Sequence, residues 1–375
     1  MGVTTKTILL AAGGTGGHLF PAFALGEELG RRGYIVDLVT DMRGDRYGSD
    51  FPAREIYQVP AATLGGGGRK VGKVVKTAAT LTKGTTAAYR LLKRVRPDAV
   101  VGFGGYPTFP PLVAAKMRAI PTALHEQNAV LGRANRMLAG RVTAIATSFE
   151  QTKYLSEKLS QKVVVTGNPV RDRVIAAAQT PFDPPTGDKP FKLIVFGGSQ
   201  GARYFSDTVP TALAAMPLEI RQRIQIVQQC REEDLERVKK AYATIGVVAQ
   251  LATFFADLPQ LIAESHLVVG RAGASSIAEL TVIGRPSILV PLPHALDNDQ
   301  LNNARQLAES GGAWCIEQKD LSAERLADEI VALATSGDRL VAAADAARRQ
   351  GRPDAVARFG DLVVKLAEKD SIGEI

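Results

Sequence analysis

The sequence predicts an α/β protein made of two doubly wound domains in tandem, and three observations carry that expectation. Short apolar runs recur along the whole chain, separated by stretches long enough for helices. Two of these runs, one near the start and one past the middle, lead directly into a glycine-rich turn followed by a helical pattern. Finally, 375 residues with 45% apolar content suit two hydrophobic cores better than one.

In the first half, buried parallel strands are expected at Thr7 to Ala11, Ile35 to Val39, Ala99 to Gly102, Thr122 to Leu124, Val142 to Ala146 and Val163 to Val165. Gly167-Asn168-Pro169 breaks the alternation, and the proline-rich stretch Thr180 to Pro190 reads as a linker or loop at the boundary. The pattern then restarts. Phe191 to Phe196 runs into Gly197-Gly198-Ser199-Gln200-Gly201-Ala202, and further strands are expected at Ile224 to Val227, Val247 to Gln250, Leu267 to Val269 and Ile288 to Val290. The domains are expected at 1–167 and 168–350, with a helical segment, 351–375, returning to the first.

The first turn carries the most chemistry. An apolar strand ends at Leu9-Leu10-Ala11-Ala12 and passes into Gly13-Gly14-Thr15-Gly16-Gly17-His18. Glycines there let backbone N–H groups approach an anion, and the following helix points its positive end at the same spot. A phosphate or diphosphate is the expected guest. The dinucleotide fingerprint fails, since Leu19 stands where the third glycine of GxGxxG belongs, so a nicotinamide oxidoreductase is disfavoured. Such a turn can also be a plain tight connection; His18, a titratable group at its rim, favours the functional reading.

Composition excludes several classes. The two cysteines, Cys230 and Cys315, are too few for a disulfide framework, no Cys/His cluster has zinc spacing, and no apolar run is long enough for a signal peptide core or a spanning helix. A cytoplasmic setting follows as an expectation. The net charge of +8 is concentrated: between Ile56 and Pro97 there is no acidic residue, while Arg69, Lys70, Lys73, Lys76, Lys83, Arg90, Lys93, Arg94 and Arg96 are all basic. Val71, Val74, Val75, Ala78, Leu81, Leu91, Leu92 and Val95 add an apolar stripe at roughly helical spacing, which suits an anionic bilayer surface; the alternative is a surface helix whose stripe faces the core. Nucleic acid is disfavoured, because Tyr89 is the single aromatic among the basic residues from Arg69 to Arg96. Gly67-x-x-x-x-Gly72-Lys73 imitates a P-loop, but Val74 replaces the required hydroxyl residue and no strand precedes it.

In doubly wound sheets ligands sit beyond the carboxyl ends of the strands. His18, Gly104-Gly105-Tyr106 and His125-Glu126-Gln127-Asn128 are expected at such ends in the first half, and Ser199, Arg271-Ala272-Gly273-Ala274 and His294 to Gln300 in the second. These blocks, with Gly167 to Arg171, Gly270 to Glu279 and Pro291 to Asn303, span nearly the whole chain, and in this order they resemble the MurG family of bacterial glycosyltransferases.

The resemblance implies a GT-B fold, two Rossmann-like domains facing a central cleft. It also implies inverting, metal-independent transfer of N-acetylglucosamine from UDP-N-acetylglucosamine to the C4 hydroxyl of undecaprenyl-diphosphate-linked muramoyl-pentapeptide, with no cofactor. Its partners would be those two substrates, an anionic membrane surface on the cytoplasmic face of the inner membrane, and other cell-wall synthesis proteins. Ser199 and its loop would approach the donor diphosphate with Arg171 as a charged partner. The helix starting at Ala274 would aim its N-terminus at the α-phosphate, Glu279 would hold the ribose hydroxyls, the segment around Phe255 would line the uracil, and Gln300 would hold sugar hydroxyls. Asn128 would reach the donor from the first domain, where Thr15, Gly16 and Gly17 contact the substrates. A hinge is expected near Gly167 to Arg171 and again near Gly351.

His18 is the candidate general base, or the group that orients the acceptor hydroxyl; the plainer reading has it hydrogen-bond the loop or the acceptor diphosphate. His125 is second, and its neighbour Glu126 should point away from it along an extended chain. His266, beside an apolar strand, reads as structural. One departure stands out: Asp299-Gln300 replaces the pair of glutamines common in the family, and Asp297-Asn298-Asp299 imitates the D-x-D of metal-dependent transferases. Alternatives are another GT-B enzyme, either a glycolipid glycosyltransferase or a UDP-N-acetylglucosamine 2-epimerase, and a non-catalytic nucleotide-sugar binding module.

Overall fold

A computed structural model describes residues 5–13, 16–41, 51–60 and 71–369; for 71–79 and 199–202 it describes the backbone and not the side chains. The chain divides into two units, Met1–Arg171 with Pro353–Ile375, and Asp172–Arg352.

The first unit is a wholly parallel seven-stranded sheet of β1 (Thr7–Ala11), β2 (Ile35–Thr40), β3 (Ile56–Gln58), β4 (Ala99–Gly102), β5 (Thr122–Glu126), β6 (Ala144–Thr147) and β7 (Val163–Val165), in the spatial order β3-β2-β1-β4-β5-β6-β7. Its crossovers include α1 (Gly16–Arg31), α2 (Val71–Val95), α3 (Phe109–Met117) and α4 (Arg133–Ala139). Because side chains alternate across a strand, β1 serves two cores: Ile8 and Leu10 join one cluster, and Leu9 and Ala11 the other.

The second unit repeats the plan with α5 (Asp172–Ala177), β8 (Phe191–Phe196), α6 (Gly198–Ala215), α7 (Leu218–Arg221), β9 (Ile224–Gln229), α8 (Leu235–Thr244), β10 (Val248–Ala252), α9 (Leu258–Glu264), β11 (Leu267–Gly270), α10 (Ala274–Ile283), β12 (Ser287–Leu289), α11 (Asp299–Glu309), β13 (Ala313–Cys315), α12 (Ala323–Ala334) and α13 (Gly337–Gln350). Its six parallel strands lie in the order β10-β9-β8-β11-β12-β13. The last helix, α14 (Ala355–Glu368), packs in the first unit on α1, β4 and β5.

In both sheets the first strand in sequence is flanked by its successor on one side and by a later strand on the other. The order in which strands are added therefore reverses between β1 and β4, and between β8 and β11, and at such a point the carboxyl ends of parallel strands open a crevice. The ends of β1 and β8 and the starts of α1 and α6 lie at those two points.

Two details refine the sequence reading. Leu91 and Leu92 of α2 are buried in the first unit's core, so the carboxyl-terminal half of the apolar stripe packs inward and does not face a bilayer; Lys83, Arg90, Lys93 and Arg94 are exposed. The P-loop imitation, Gly67 to Lys73, lies outside the described residues and side chains. In the second unit, buried Arg285 donates to the carbonyls of Ala263, Ile283, Gly284, Thr180 and Pro181. It fixes the start of the proline-rich segment to the ends of α9 and α10, and burial lowers its pKa to about 10.

Candidate active site

At the first switch point His18 stands in the opening turn of α1 against the turn after β4. Gly104 and Gly105 both adopt the left-handed region, with φ of 86° and 74°. A Cβ at Gly105 would lie 3.3 Å from His18 Nε2, and one at Gly104 would lie 3.4 Å from His18 Cε1. Only glycine combines that backbone with room for the imidazole. Of the expected contacts, Gly16 and Gly17 open α1, and Thr15 lies outside the described residues. Two residues past His18, the Phe20 ring carries the Arg171 guanidinium at 4.0 Å from its centroid. Arg171 is thus placed in the first unit, beside the histidine's helix.

His125 and Glu126 are the last two residues of β5 and do not follow it, as the sequence reading had them. They point apart, as strand neighbours do. His125 is fully buried and stacks on Phe359 of α14, with ring centroids 4.9 Å apart. Its Nε2–H donates to the Gly167 carbonyl at 3.1 Å, and its Nδ1 accepts from the Gln127 amide at 3.2 Å. Those partners set the tautomer, and burial lowers the pKa to about 4. A neutral imidazole with both nitrogens engaged cannot serve as the general base; it anchors the 167–171 segment instead.

Glu126 is buried and organises the next loop. Its Oε1 accepts from the Asn128 backbone at 3.0 Å and the Asn128 amide at 3.3 Å, and its Oε2 from Gly132 N–H at 2.8 Å and the Asn135 amide at 2.7 Å. Asn128 is therefore oriented by Glu126. Asn135, which sequence reasoning missed, also lies against Gly104; its only signal was an amide on the apolar face of α4, between Ala134 and Leu138. The Asn168 amide is buried, and neither of its polar atoms has a partner among the described residues.

At the second switch point Gly197 caps α6, and Gly198 has φ of 62°. Their N–H groups donate to Gln229 Oε1 at 3.4 and 3.0 Å. Ser199 follows within the helix, its side chain outside the described ones. Across the crevice Gly273 caps α10, whose second turn carries Glu279. Burial raises the Glu279 pKa to about 7 against the opposing pull of Arg173. Arg173, two residues beyond the expected Arg171, donates to Ala256 O at 2.9 Å and so joins Glu279 to the segment after β10. In that segment Phe255 is turned inward while Phe254 is 64% exposed.

Arg271, buried after β11, donates to Val290 O, Pro291 O and Gln318 and braces the loop after β12. Gln300 accepts from Leu292 N–H through Oε1 at 3.0 Å, which leaves its NH₂ as the donor it can offer. Asp299 turns back on its own helix, accepting from Gln300 N–H at 2.6 Å. Burial and then Asp297 raise its pKa, although that hydrogen bond opposes them. His266 accepts from Lys192 N–H and packs on Phe191.

The glycosyltransferase family 28 N-terminal domain matches residues 8–147, and the family 28 C-terminal domain matches residues 192–359. A UDP-N-acetylglucosamine--N-acetylmuramyl-(pentapeptide) pyrophosphoryl-undecaprenol N-acetylglucosamine transferase of Nitrobacter hamburgensis is 50% identical over 368 residues, 98% of this chain and 99% of that one. The protein of the same name from Chelativorans sp. is 49% identical over 369 residues, 98% and 97% of the two chains. The crystal structure of Acinetobacter baumannii MurG superposes with a TM-score of 0.77 at 30% identity, covering 96% of this chain and 99% of that one. The chain belongs to the MurG family of GT-B glycosyltransferases.

Proposed function

We infer that this chain transfers N-acetylglucosamine from UDP-N-acetylglucosamine to the lipid-linked muramoyl-pentapeptide, forming lipid II for peptidoglycan synthesis. The single observation that carries this is identity of about half, over nearly the full length, to transferases named for that reaction. The alternatives, an epimerase, another glycolipid transferase or a binding module, have no comparable support.

The residues divide the work by unit. His18, on the rim of the first crevice, takes the proton from the acceptor hydroxyl as it attacks the anomeric carbon, inverting it while the bond to the UDP oxygen breaks. The Asn168 amide and Asn128 offer neutral hydrogen bonds to the substrates. In the second unit the N-termini of α6 and α10 face the diphosphate and offset the charge that develops on the leaving group without need of a cation. Glu279 receives the ribose hydroxyls, Phe254 covers the uracil, and the Gln300 NH₂ meets the sugar.

Attachment to an anionic bilayer through α2 belongs to the same proposal. Its support is the exposed basic set on α2 together with Tyr89 and Met117, 37% and 65% exposed, beside Lys116 and Arg118. Among the described residues no helix is long and apolar enough to cross a membrane.

One assay tests the whole reading: labelled UDP-N-acetylglucosamine with a short-chain analogue of the lipid-linked acceptor, with and without EDTA, beside UDP-glucose, on anionic and on neutral vesicles. Donor-selective, EDTA-resistant product, formed faster on anionic vesicles, is expected. Donor binding without transfer would overturn the acceptor assignment, and EDTA sensitivity would restore a metal role to Asp297 and Asp299.

A further inference from the structure

Gln229 is the last residue of β9, and its carboxamide spans two loops of the second unit. Its Oε1 accepts from the N–H groups of Gly197 and Gly198, and its Nε2–H donates to the Thr253 carbonyl at 3.1 Å. Gly197 and Gly198 lead into α6, and Thr253 immediately precedes Phe254 and Phe255. A side chain that is both donor and acceptor thereby joins the turn that faces a diphosphate to the segment that faces a base.

We propose that Gln229 is a positioning residue for the nucleotide donor, a role that rests on the donor reading of this unit given above. The first turn of a helix leaves its leading N–H groups without intrahelical partners. Gln229 takes the two that enter the turn. The N–H groups further along are then held in a fixed direction for the phosphate oxygens. Through Thr253 the same side chain sets the spacing between the phosphate end and the base end of the site. Only a carboxamide does both, because a carboxylate would meet the Thr253 carbonyl with like partial charge, and an aliphatic side chain would release both loops. Neither group titrates in the neutral range, so the link is independent of pH in the native chain.

Glu at this position separates positioning from mere support. When protonated it reproduces the donor and acceptor set of Gln; when ionised it repels Thr253 O and adds a negative charge beside the diphosphate. The experiment measures UDP affinity by calorimetry for the full-length wild type, Gln229→Ala and Gln229→Glu from pH 5 to pH 8, with thermal melting and the KM of the lipid-linked acceptor analogue alongside. For Gln229→Ala, UDP affinity should fall about tenfold, the scale of losing one or two hydrogen bonds, while the acceptor KM is unchanged. Gln229→Glu, taken relative to wild type at each pH, should bind UDP progressively less well as the pH rises. Variants that bind UDP as the wild type does would overturn the proposal. So would a parallel loss of UDP affinity, acceptor KM and melting temperature without the pH dependence, which marks ordinary structural support. A wild type that binds no UDP would instead sink the donor reading itself.

Discussion

β1 and β8 share a plan, a buried parallel strand that a helix follows at the point where the strand order reverses, yet the chemistry set around the starts of α1 and α6 differs. The first is surrounded by groups that handle protons and neutral hydrogen bonds: His18 at the rim, the His125 and Glu126 supports, and the amides of Asn128, Asn135 and Asn168. The second has no titratable group in its turn; Gln229 engages its entry amides and Glu279 waits across the crevice. On the assignment proposed above, the same helix end is used twice, once beside the nucleophile and once beside the leaving group, and the side chains that the next strands bring to it set that division.

The largest effect that separates the two is expected from His18→Ala. Removing a general base costs about 100- to 10,000-fold in turnover, and because His18 belongs to the first unit, UDP affinity should stay at the wild-type value. Single-turnover transfer and UDP calorimetry on the same preparation check both halves. Should the variant lose UDP binding as well, the first turn would be part of the donor site and the contrast would fail.

How much of this contrast was legible in the sequence depended on burial. Central parallel strands are covered on both faces and read as continuous apolar runs, so β1, β4 and β8 were placed to the residue. Edge strand β7 also falls where the sequence places it, because Val163 to Val165 is an unbroken run of valines; the edge strands β3 and β13 have no such run and are not marked. Each is three residues long, pairs on one side only and includes half-exposed positions, so neither hydrophobic continuity nor strict alternation marks it. The apolar character of Val142 suits β6, but its N–H closes the turn after α4 on Leu138 O, and the strand starts at Ala144.

Among the site residues, those beside glycine turns could be found because glycine announces a backbone need. Asn135 and Gln229 could not, since one acts through Glu126 in the preceding strand and the other through Gly197, Gly198 and Thr253 in two separate loops, and a single sequence carries no record of those pairings. His125 shows the converse. Its residue type and its place at a strand end suggest catalysis, whereas the partners on both nitrogens, Gly167 and Gln127, assign it to structure.

That assignment gives the next test. His125→Phe keeps the stacking on Phe359 but loses the bonds to Gly167 O and the Gln127 amide, and stability should drop by about 1–3 kcal/mol, the cost of leaving buried polar groups unpaired. The pH dependence carries a second mark. A histidine whose pKa is about 4 when folded, against 6.5 ordinarily, is neutral in the folded chain and takes up its proton on unfolding. Wild-type stability therefore falls as the pH drops through that window, and the variant should lack this decline. Urea melts of both chains between pH 4.5 and 8 measure it. A variant that melts like wild type at every pH would return His125 to the list of catalytic candidates.

The smallest effect is the one that best probes the second turn. Burial raises the Glu279 pKa to about 7, so around neutrality the carboxyl is only partly ionised. Two ribose hydroxyls donating to it would favour the carboxylate and pull the pKa down in the complex. Donor binding then releases a proton, and linkage requires UDP affinity to rise with pH below about 7 and to level off above it, by at most about tenfold per pH unit. Glu279→Gln, which cannot ionise, should lose this slope and bind UDP more weakly than wild type at pH 8, with the gap closing toward pH 5.5. Calorimetry in buffers of different ionisation enthalpy counts the protons directly, and the ratio of variant to wild type at each pH cancels the titration of UDP itself. An unchanged slope in Glu279→Gln would place the carboxylate away from the ribose. The predicted slope, with turnover of His18→Ala still failing at every pH, would locate proton release on donor binding in one unit and proton transfer in the other.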